Sequence, residues 1–249
     1  MKTLEVLFAP AEFVALTQRD LRETSCIVFD ALRATSTFVT ALHNGAKAII
    51  PVSKIFEALA IKKRRPDVLL GGERDGIRIS ASGIDFDLGN SPREYTQEKV
   101  RGKTIISTTT NGTRALRACA NAQTVLTASF LNLTATAEFL RQNNFENILI
   151  VCAGTGENAA LEDSLAAGML CELLAREDIR PAFSDSAETA LRAYAQAKSD
   201  LVATVIRDSE NARRLLAIPA LHDDVAFCLQ RDIFPLVAKM EADGIIRIG

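Results

Sequence analysis

Short apolar runs alternate with helix-like segments over about the first 155 residues of the chain. Parallel strands need a long crossover connection, which a helix usually supplies, so this alternation is typical of a parallel sheet. It predicts an α/β fold with a largely parallel or mixed sheet flanked by helices. The strand-like runs lie at 4–8, 26–29, 48–52, 68–70, 103–106, 124–127 and 147–152, and the helix-like segments at 38–42, 54–65, 114–120 and 132–142.

From Ala160 onward the apolar residues recur at helical spacing, as Leu161, Leu165 and Met169 show. Further helices are predicted at 185–198, 200–216 and 219–230, and two short strands close the sequence around the Asp243-Gly244 turn. Residues 74–94 are predicted to be irregular. We expect a single compact domain, with two lobes at about 1–155 and 156–249 as an open alternative.

The composition argues against several classes of partner. A formal net charge of -2, no Trp and only two Tyr give neither the basic surface nor the stacking residues typical of nucleic-acid binding, and no basic attraction to an anionic membrane. No apolar run approaches the ~20 residues of a membrane span. A homo-oligomer is compatible with the sequence.

The cellular location is predicted from two features. Glu5 interrupts the N-terminal stretch where a signal peptide would need an apolar run. The five cysteines form no CxxC pair and lie in apolar or helical surroundings, which is typical of reduced thiols. Both features indicate a cytoplasmic protein.

A hydroxyl-rich stretch follows the predicted strand at 103–106. It ends in an Asn-Gly turn and an arginine that opens a helix. Hydroxyls, unpaired N–H groups at a helix start and an arginine are all donors that suit an anion such as phosphate. An ordinary capped helix is the alternative interpretation. The candidate substrate-binding residues here are Thr108, Thr109, Thr110, Asn111, Gly112, Thr113 and Arg114.

Acidic residues follow other predicted strands. Asp30 and Glu73 each come after a strand, and Glu162 and Asp163 begin the helix after the strand at 147–152. Ligands collect at the carboxyl ends of strands in open α/β sheets, so these acids are candidates for one shared site. Carboxylates with phosphate oxygens are typical of Mg²⁺ binding. The four acids are therefore candidate metal ligands.

The segment 154–159 matches the pattern G-x-G-x-x-A after a strand, which is typical of dinucleotide binding. That function also needs a second strand ending in an acid about twenty residues later. The predicted helix runs past this point, so a dinucleotide-dependent enzyme remains only a distant alternative.

Five ordered segments resemble the 2-phosphosulfolactate phosphatase family. They cover the stretches 30–37, 70–74, 86–92, 108–114 and 152–154 with 161–163, in the order of that family. The usual glycine before Phe86-Asp87 is displaced here to Gly83. The resemblance implies a family-specific α/β fold and a Mg²⁺-dependent hydrolase. Such an enzyme converts 2-phospho-3-sulfolactate to 3-sulfolactate and phosphate, in coenzyme M biosynthesis or sulfolactate metabolism.

This substrate is a small polyanionic phosphoester and needs several cationic or N–H contacts. Arg33, Thr35, Ser36 and Arg74 join the hydroxyl-rich stretch as candidate substrate-binding residues, and Asp30, Asp87 and Arg33 are the candidate catalytic residues. The notable alternatives are a phosphatase for another phosphorylated hydroxy acid and a non-catalytic binder of small anions. Neither the nucleophile nor the number of metal ions follows from the sequence.

Overall fold

The computed structural model describes residues 3–16, 18–81, 83–175 and 181–249. Within them, one sheet has eleven strands and a second sheet has two. The strands are β1 (Thr3–Leu7), β2 (Thr24–Phe29), β3 (Ala48–Pro51), β4 (Leu69–Arg74), β5 (Ile77–Arg78), β6 (Ser80–Ala81), β7 (Ile84–Asp85), β8 (Thr104–Thr108), β9 (Thr124–Ala128), β10 (Asn147–Cys152), β11 (Ala182–Phe183), β12 (Ala238–Met240) and β13 (Ile246–Ile248).

The α-helices of the described residues are α1 (Phe13–Leu16), α2 (Ala34–His43), α3 (Ile55–Arg64), α4 (Gln97–Val100), α5 (Gly112–Ala118), α6 (Leu133–Asn143), α7 (Leu161–Leu174), α8 (Asp185–Ala197), α9 (Leu201–Asp208), α10 (Glu210–Leu216) and α11 (His222–Cys228). Short 3-10 helices cover Pro10–Glu12, Pro92–Glu94, Phe130–Asn132 and Lys198–Asp200. No described helix is both long enough and apolar enough to cross a membrane.

The large sheet is buried on both faces, as the apolar strand runs predict. Side chains alternate along β2, so Ile27 and Phe29 enter one hydrophobic cluster while Cys26 and Val28 enter another. Helices α6, α7 and α8 cover the first cluster, and α2 and α5 cover the second. The predicted α/β class with a mixed sheet is therefore confirmed.

The terminal hairpin lies in the middle of the sheet rather than at its edge. The strand order is β11-β1-β10-β2-β9-β12-β13-β3-β8-β4-β5. The five strands from β11 to β9 are parallel to one another, and so are β3, β8 and β4. The pairings β9–β12, β12–β13 and β13–β3 are all antiparallel. Three reversals leave the two parallel blocks running in opposite directions.

Some local predictions were wrong. The helix predicted at 200–216 is two helices, because Ser209 has an extended backbone and its hydroxyl accepts a hydrogen bond from the Ala212 N–H, which starts α10. Ser53, a cap-forming residue type just before the helix predicted at 54–65, does not cap α3; the Glu57 carboxylate accepts the N–H groups of Ser53 and Lys54 instead. The irregular stretch at 74–94 contains the short strands β5, β6 and β7. The polar sequence at 11–23 predicts a helical or irregular segment, and residue 17 within it lies outside the described residues.

Helices α7 and α8 pack closely because Gly168 has no side chain. A Cβ atom at this position would lie 2.1 Å from the carbonyl oxygen of Ala190 and 2.6 Å from the Tyr194 Cβ. This close approach holds α7, which begins with Glu162 and Asp163, firmly on the sheet.

Candidate active site

Loops from both parallel blocks meet around a cleft of about 310 Å³. Asp30 after β2 and Gly154 after β10 come from one block; Glu73 of β4 and Thr110 after β8 come from the other. The two blocks run in opposite directions, so the carboxyl ends of all their strands do not form one edge of a single parallel sheet. The residues come together because the loops contact each other directly. The cleft is lined by Asp30, Leu32, Arg33, Glu73, Asp75, Gly76, Asn90, Thr110, Asn111, Gly154, Thr155, Gly156, Asn211, Arg214 and Leu215.

Asp30 is the most chemically perturbed acid that lines the cleft. Its Oδ1 accepts a 3.0 Å hydrogen bond from the N–H of Ala34, the first residue of α2. A Cβ at Gly112 would lie 2.8 Å from Asp30 Oδ2, so this glycine leaves room for the carboxylate. Burial, joined by the negative charges of Glu73 and Glu162, raises the pKa of Asp30 to about 6, and the Ala34 N–H and the Arg33 charge act in the opposite direction. Asp30 therefore titrates near neutral pH.

Glu73 ties the hydroxyl-rich stretch to the loop after β4. Its Oε1 accepts hydrogen bonds from the Thr110 N–H (2.9 Å) and the Thr110 hydroxyl (3.0 Å). Its Oε2 accepts a 2.8 Å bond from the N–H of Gly76. The carboxylate is buried but lines the cleft, so it both orders this wall and presents negative charge to a ligand.

Asp163 joins the loops that follow two strands of the first block. Its Oδ1 accepts from the Ala31 N–H at 2.8 Å, and its Oδ2 accepts from the Gly154 N–H at 3.0 Å. Burial raises the pKa of Asp163 well above its usual value, and the neighbouring charges of Glu162 and Asp30 act in the same direction. Asp163 is fully buried and does not line the cleft.

Glu162 binds the start of helix α10. Its Oε2 accepts a 2.7 Å bond from the Ser209 hydroxyl, and its Oε1 accepts a 2.7 Å bond from Asn211 Nδ2. Like Asp163, it does not line the cleft. Among the described residues, no three His, Cys, Asp or Glu side chains are grouped closely enough to hold a metal by themselves. Of the four predicted metal ligands, the cleft brings together Asp30 and Glu73.

Arg33 is buried in the cleft wall and paired with a residue that the sequence did not single out. Its Nη1 donates a 2.7 Å hydrogen bond to Asp224 Oδ2, and its Nη2 donates a 2.8 Å bond to the Gly76 carbonyl. Asp224 is completely buried in α11, and its Oδ1 accepts a 2.6 Å bond from the Ser91 hydroxyl. A guanidinium has five N–H groups, so Arg33 retains donors for a ligand.

The other two predicted arginines lie outside the cleft lining. Arg74 donates to the Thr108 hydroxyl at 3.0 Å and to its own neighbour's carbonyl, that of Glu73, at 2.6 Å. Arg114 is half exposed and forms an ion pair with Glu157. Their guanidinium groups bind other parts of the protein in this structure.

Most of the predicted threonine and serine donors order the loops. The Thr35 hydroxyl accepts from the Asp30 N–H at 3.1 Å, and the Ser36 hydroxyl donates to the Ala31 carbonyl at 2.8 Å. Thr109 and Thr113 bond to each other at the start of α5. Thr110 and Asn111, by contrast, line the cleft. The hydroxyl-rich stretch thus has a buried part and a cleft-facing turn.

Asp87, a predicted catalytic residue, does not line the cleft. Its Oδ2 accepts a 2.8 Å hydrogen bond from the Leu70 N–H and lies 3.6 Å from Lys62 Nζ. Its side chain is exposed, and the cleft does not bring it together with Asp30.

Several cleft residues were missed by the sequence reasoning, among them the polar residues Asp75, Asn90, Asn211 and Arg214. Asn90 is buried, and its Oδ1 has no hydrogen-bond partner in the described part of the chain. Asn211 and Arg214 reach the cleft from α10. The position of Asn90 within the stretch at 86–92 was an available signal. Arg214 gave none, because its helix was predicted as part of a longer one.

The glycine-rich segment at 154–159 forms a tight loop at the cleft. Gly154 has a φ of +65°, and a Cβ there would lie 2.3 Å from the carbonyl oxygen of Asn158. The glycine is required because the loop folds back on itself, with Thr155 and Asn158 exchanging backbone hydrogen bonds. Gly154 and Gly156 line the same cleft as Asp30.

Comparison with known sequences places this arrangement in a family. The sequence model of the family described as 2-phosphosulpholactate phosphatase matches residues 13–243. The chain belongs to the 2-phosphosulfolactate phosphatase family. A protein of Thermotoga petrophila named probable 2-phosphosulfolactate phosphatase is 44% identical over 216 residues, which is 87% of this chain and 88% of that protein.

Other members of the 2-phosphosulfolactate phosphatase family match at similar length. One from Caldanaerobacter subterraneus, with the same printed name, is 40% identical over 235 residues, 94% of each chain. Another from Clostridium acetobutylicum is 34% identical over 225 residues, 90% of this chain and 92% of the relative. The similarity therefore spans both parallel blocks and the C-terminal helices, including α10 and α11.

Proposed function

We propose that this chain is a Mg²⁺-dependent phosphatase that hydrolyses 2-phospho-3-sulfolactate to 3-sulfolactate and inorganic phosphate. The observation that carries the proposal is that residues from all five family-like segments converge on one cleft. They bring an acidic wall, with Asp30 and Glu73, against donors from Arg33, Thr110 and Asn111. Membership of the family and the names of the relatives support this substrate.

The acidic wall fits Mg²⁺ held by one or two carboxylates. Asp30 Oδ1 accepts the Ala34 N–H, which leaves Oδ2 facing the start of α5 with lone pairs available. The negative charge of Glu73 raises the pKa of Asp30, and a cation would relieve this repulsion. Mg²⁺ usually keeps several waters and takes phosphate oxygens from the substrate, so a cluster of three protein acids is not required. Asp30 and Glu73 are the residues that would hold the ion, directly or through water.

When bound, Mg²⁺ would neutralise charge on the phosphoryl oxygens. The chain itself positions the substrate. The free N–H groups of Arg33 and the amide of Asn111 are placed to bind phosphoryl oxygens, and Asp30 orients the reacting end of the cleft. Positioning and charge stabilisation dominate phosphoryl transfer, so these contacts account for catalysis in the proposal. Hydrolysis breaks the bond between phosphorus and the oxygen on C2. A water oxygen forms the new P–O bond, and a proton from that water passes to the C2 oxygen, which leaves as a hydroxyl.

Cysteine chemistry supports a cytoplasmic enzyme as part of the proposal. All five cysteines are buried and lie outside disulfides. Burial raises the pKa of Cys152 well above its usual value, although this residue ends the strand that leads to the cleft. A protonated, buried thiol is a poor nucleophile, so Cys152 is assigned a structural role.

The test is phosphate release by the purified protein from 2-phospho-3-sulfolactate, with Mg²⁺ and with EDTA. We expect turnover that EDTA abolishes and Mg²⁺ restores, and loss of turnover in Asp30→Asn while circular dichroism stays native. If the protein hydrolyses only another phosphorylated hydroxy acid, that compound is the substrate and 2-phospho-3-sulfolactate is not. Calorimetry measures sulfolactate binding. Binding without metal and without any turnover would show that the protein is a small-anion binder rather than an enzyme.

A further inference from the structure

Helix α10 places an arginine in the cleft that the acids Asp30 and Glu73 also line. Arg214 lines the cleft with Asn211 and Leu215, while Asp30 and Glu73 line it from the parallel blocks. The Arg214 guanidinium donates a 3.1 Å hydrogen bond to Asn211 Oδ1. Its side chain is exposed, and no ion pair to it occurs among the described residues. A guanidinium with one neutral partner has both charge and donors available for a ligand.

Buried contacts fix the helix that carries this arginine. Glu162 accepts hydrogen bonds from Ser209 and from Asn211, the residue to which Arg214 donates. Asn211 Nδ2 also donates to the hydroxyl of Thr155 in the glycine-rich loop. Both oxygens of a fully buried carboxylate are thus used to hold the first turn of α10. Arg214 extends from a fixed position rather than from a free surface helix.

The other arginines near the cleft have charged or backbone partners within the protein. Arg33 pairs with Asp224, Arg114 pairs with Glu157, and Arg74 donates to backbone carbonyls and a threonine hydroxyl. Arg214 differs because it lines the cleft and forms no ion pair with a carboxylate among the described residues, although Asp75 lines the same cleft. A ligand whose only anionic group is a phosphoryl group beside Asp30 and Arg33 gives Arg214 no anionic partner. A ligand with a second anionic group can form an ion pair with Arg214.

We propose that Arg214 is a specificity-determining residue that binds the second anionic group, a sulfonate or carboxylate, of a small phosphoester. The phosphoryl group of the same ligand lies beside Asp30 and Arg33; this placement rests on the proposed function. Arginine suits either group because its paired N–H donors match two oxygens of a planar or tetrahedral oxyanion.

The experiment compares Arg214→Gln and Arg214→Lys with a matched control, Arg213→Gln. Arg213 is the next residue of α10, is exposed, donates to the Arg207 carbonyl at 2.7 Å and does not line the cleft. KM and kcat are measured with three substrates: 2-phospho-3-sulfolactate, 2-phospholactate, which lacks the sulfonate, and the phosphate ester of 2-hydroxyethanesulfonate, which lacks the carboxylate.

For 2-phospho-3-sulfolactate, we expect Arg214→Gln to raise KM by about 10- to 100-fold and to change kcat by less than about threefold, as for loss of one charged hydrogen-bonded contact. Arg214→Lys should recover part of this loss, and Arg213→Gln should match the wild type. One analogue lacks the sulfonate and the other lacks the carboxylate. The analogue whose KM is the same for wild type and Arg214→Gln is the one that lacks the group bound by Arg214. Equal effects of the Arg213 and Arg214 variants, or an equal loss with every substrate, would overturn the proposal.

A binding measurement separates this proposal from the proposed function. Thermal unfolding of each protein is followed with 3-sulfolactate and with inorganic phosphate. We expect Arg214→Gln to lose the stabilisation by 3-sulfolactate and to keep that by phosphate. If the wild type hydrolyses no 2-phospho-3-sulfolactate but shows this pattern, the proposed function fails and the role of Arg214 stands. If 3-sulfolactate stabilises the wild type and Arg214→Gln equally, the role of Arg214 is rejected.

Discussion

Asn111 Nδ2 donates a 2.6 Å hydrogen bond to the carbonyl oxygen of Gly154. The two residues follow strands of different parallel blocks, which run in opposite directions within the sheet. The bond therefore joins the blocks at the cleft, far along the chain from the β12–β13 hairpin that joins them within the sheet. It also orients both cleft-lining loops with respect to each other.

Removing the Asn111 amide should separate the two walls of the cleft. We expect Asn111→Ala to lower kcat/KM by at least about 10-fold, because small displacements of positioning groups are costly, and to destabilise the fold by about 1 kcal/mol. Enzyme kinetics and urea unfolding measure the two effects. Asn143→Ala is the control, since Asn143 also donates to a carbonyl, that of Phe139 at 2.8 Å, but on an exposed helix end. A similar kinetic loss in both variants would contradict the prediction.

Asp30→Asn should stabilise the fold in a pH-dependent way. The pKa of Asp30 is raised to about 6, so the folded protein keeps this proton to higher pH than the unfolded chain. The contribution to stability is therefore present at about pH 4 and is lost as the pH rises through 6. In EDTA, we expect the variant to match the wild type near pH 4 and to be more stable near pH 7.5, by on the order of 2 kcal/mol. Thermal unfolding at both pH values measures this, and an equal difference at both would refute it.

The contacts of Glu162 predict different results for two substitutions. Glu162→Gln can keep both hydrogen bonds, because its amide donates to Ser209 and its carbonyl accepts from Asn211. Glu162→Ala loses both and should raise KM by about 10-fold through loosening of α10. Because Glu162 faces α10, we expect neither variant to change the Mg²⁺ concentration for half-maximal activity by more than about threefold. A large rise in that concentration for Glu162→Gln would show that Glu162 is a metal ligand.

The buried pair of Arg33 and Asp224 should be sensitive to loss of one partner. Asp224→Asn leaves a buried guanidinium without its carboxylate, which costs on the order of 3 kcal/mol. We also expect weaker stabilisation by inorganic phosphate, since Arg33 loses its orientation. Asp223→Asn is the control, because Asp223 is exposed and its ion pair with Arg93 should contribute less than about 1 kcal/mol. Denaturant unfolding of both variants tests this; similar losses would count against the prediction.

Gly168→Ala should destabilise the protein although alanine favours helices. The added Cβ would lie 2.1 Å from the Ala190 carbonyl oxygen, so α7 and α8 must move apart. We expect a loss of about 2 kcal/mol or more, larger than the gain of about 1 kcal/mol from helix propensity. Ser164→Ala on the same helix adds no volume and serves as the comparison. A melting temperature unchanged by Gly168→Ala would show that the helices can adjust without cost.

The sequence could predict the parts of the fold that depend on local pattern. Alternating strands and helices gave the α/β class, and the Asp243-Gly244 turn marked the terminal hairpin. Its insertion between β9 and β3 could not be predicted, because strand pairing over long sequence distances leaves no local signal. Asp30, Glu73 and Thr110 were found because chemically distinctive residues follow strands. The partners Asp224 and Arg214 were not, because an acid and an arginine on surface-like helices look the same whether they face solvent or a cleft.

The hairpin also has a consequence for how the protein folds. Lys239 of β12 pairs with Leu126, and Ile246 of β13 pairs with Ile49, so the middle of the sheet is built from strands synthesised after those of both parallel blocks. Each parallel block can form while the ribosome is still adding residues, but the blocks can be bridged within the sheet only after β13 emerges. Pairing over such distances is slow. Until that moment, β9 and β3 are both open edges, the state in which a nascent chain is most exposed to aggregation.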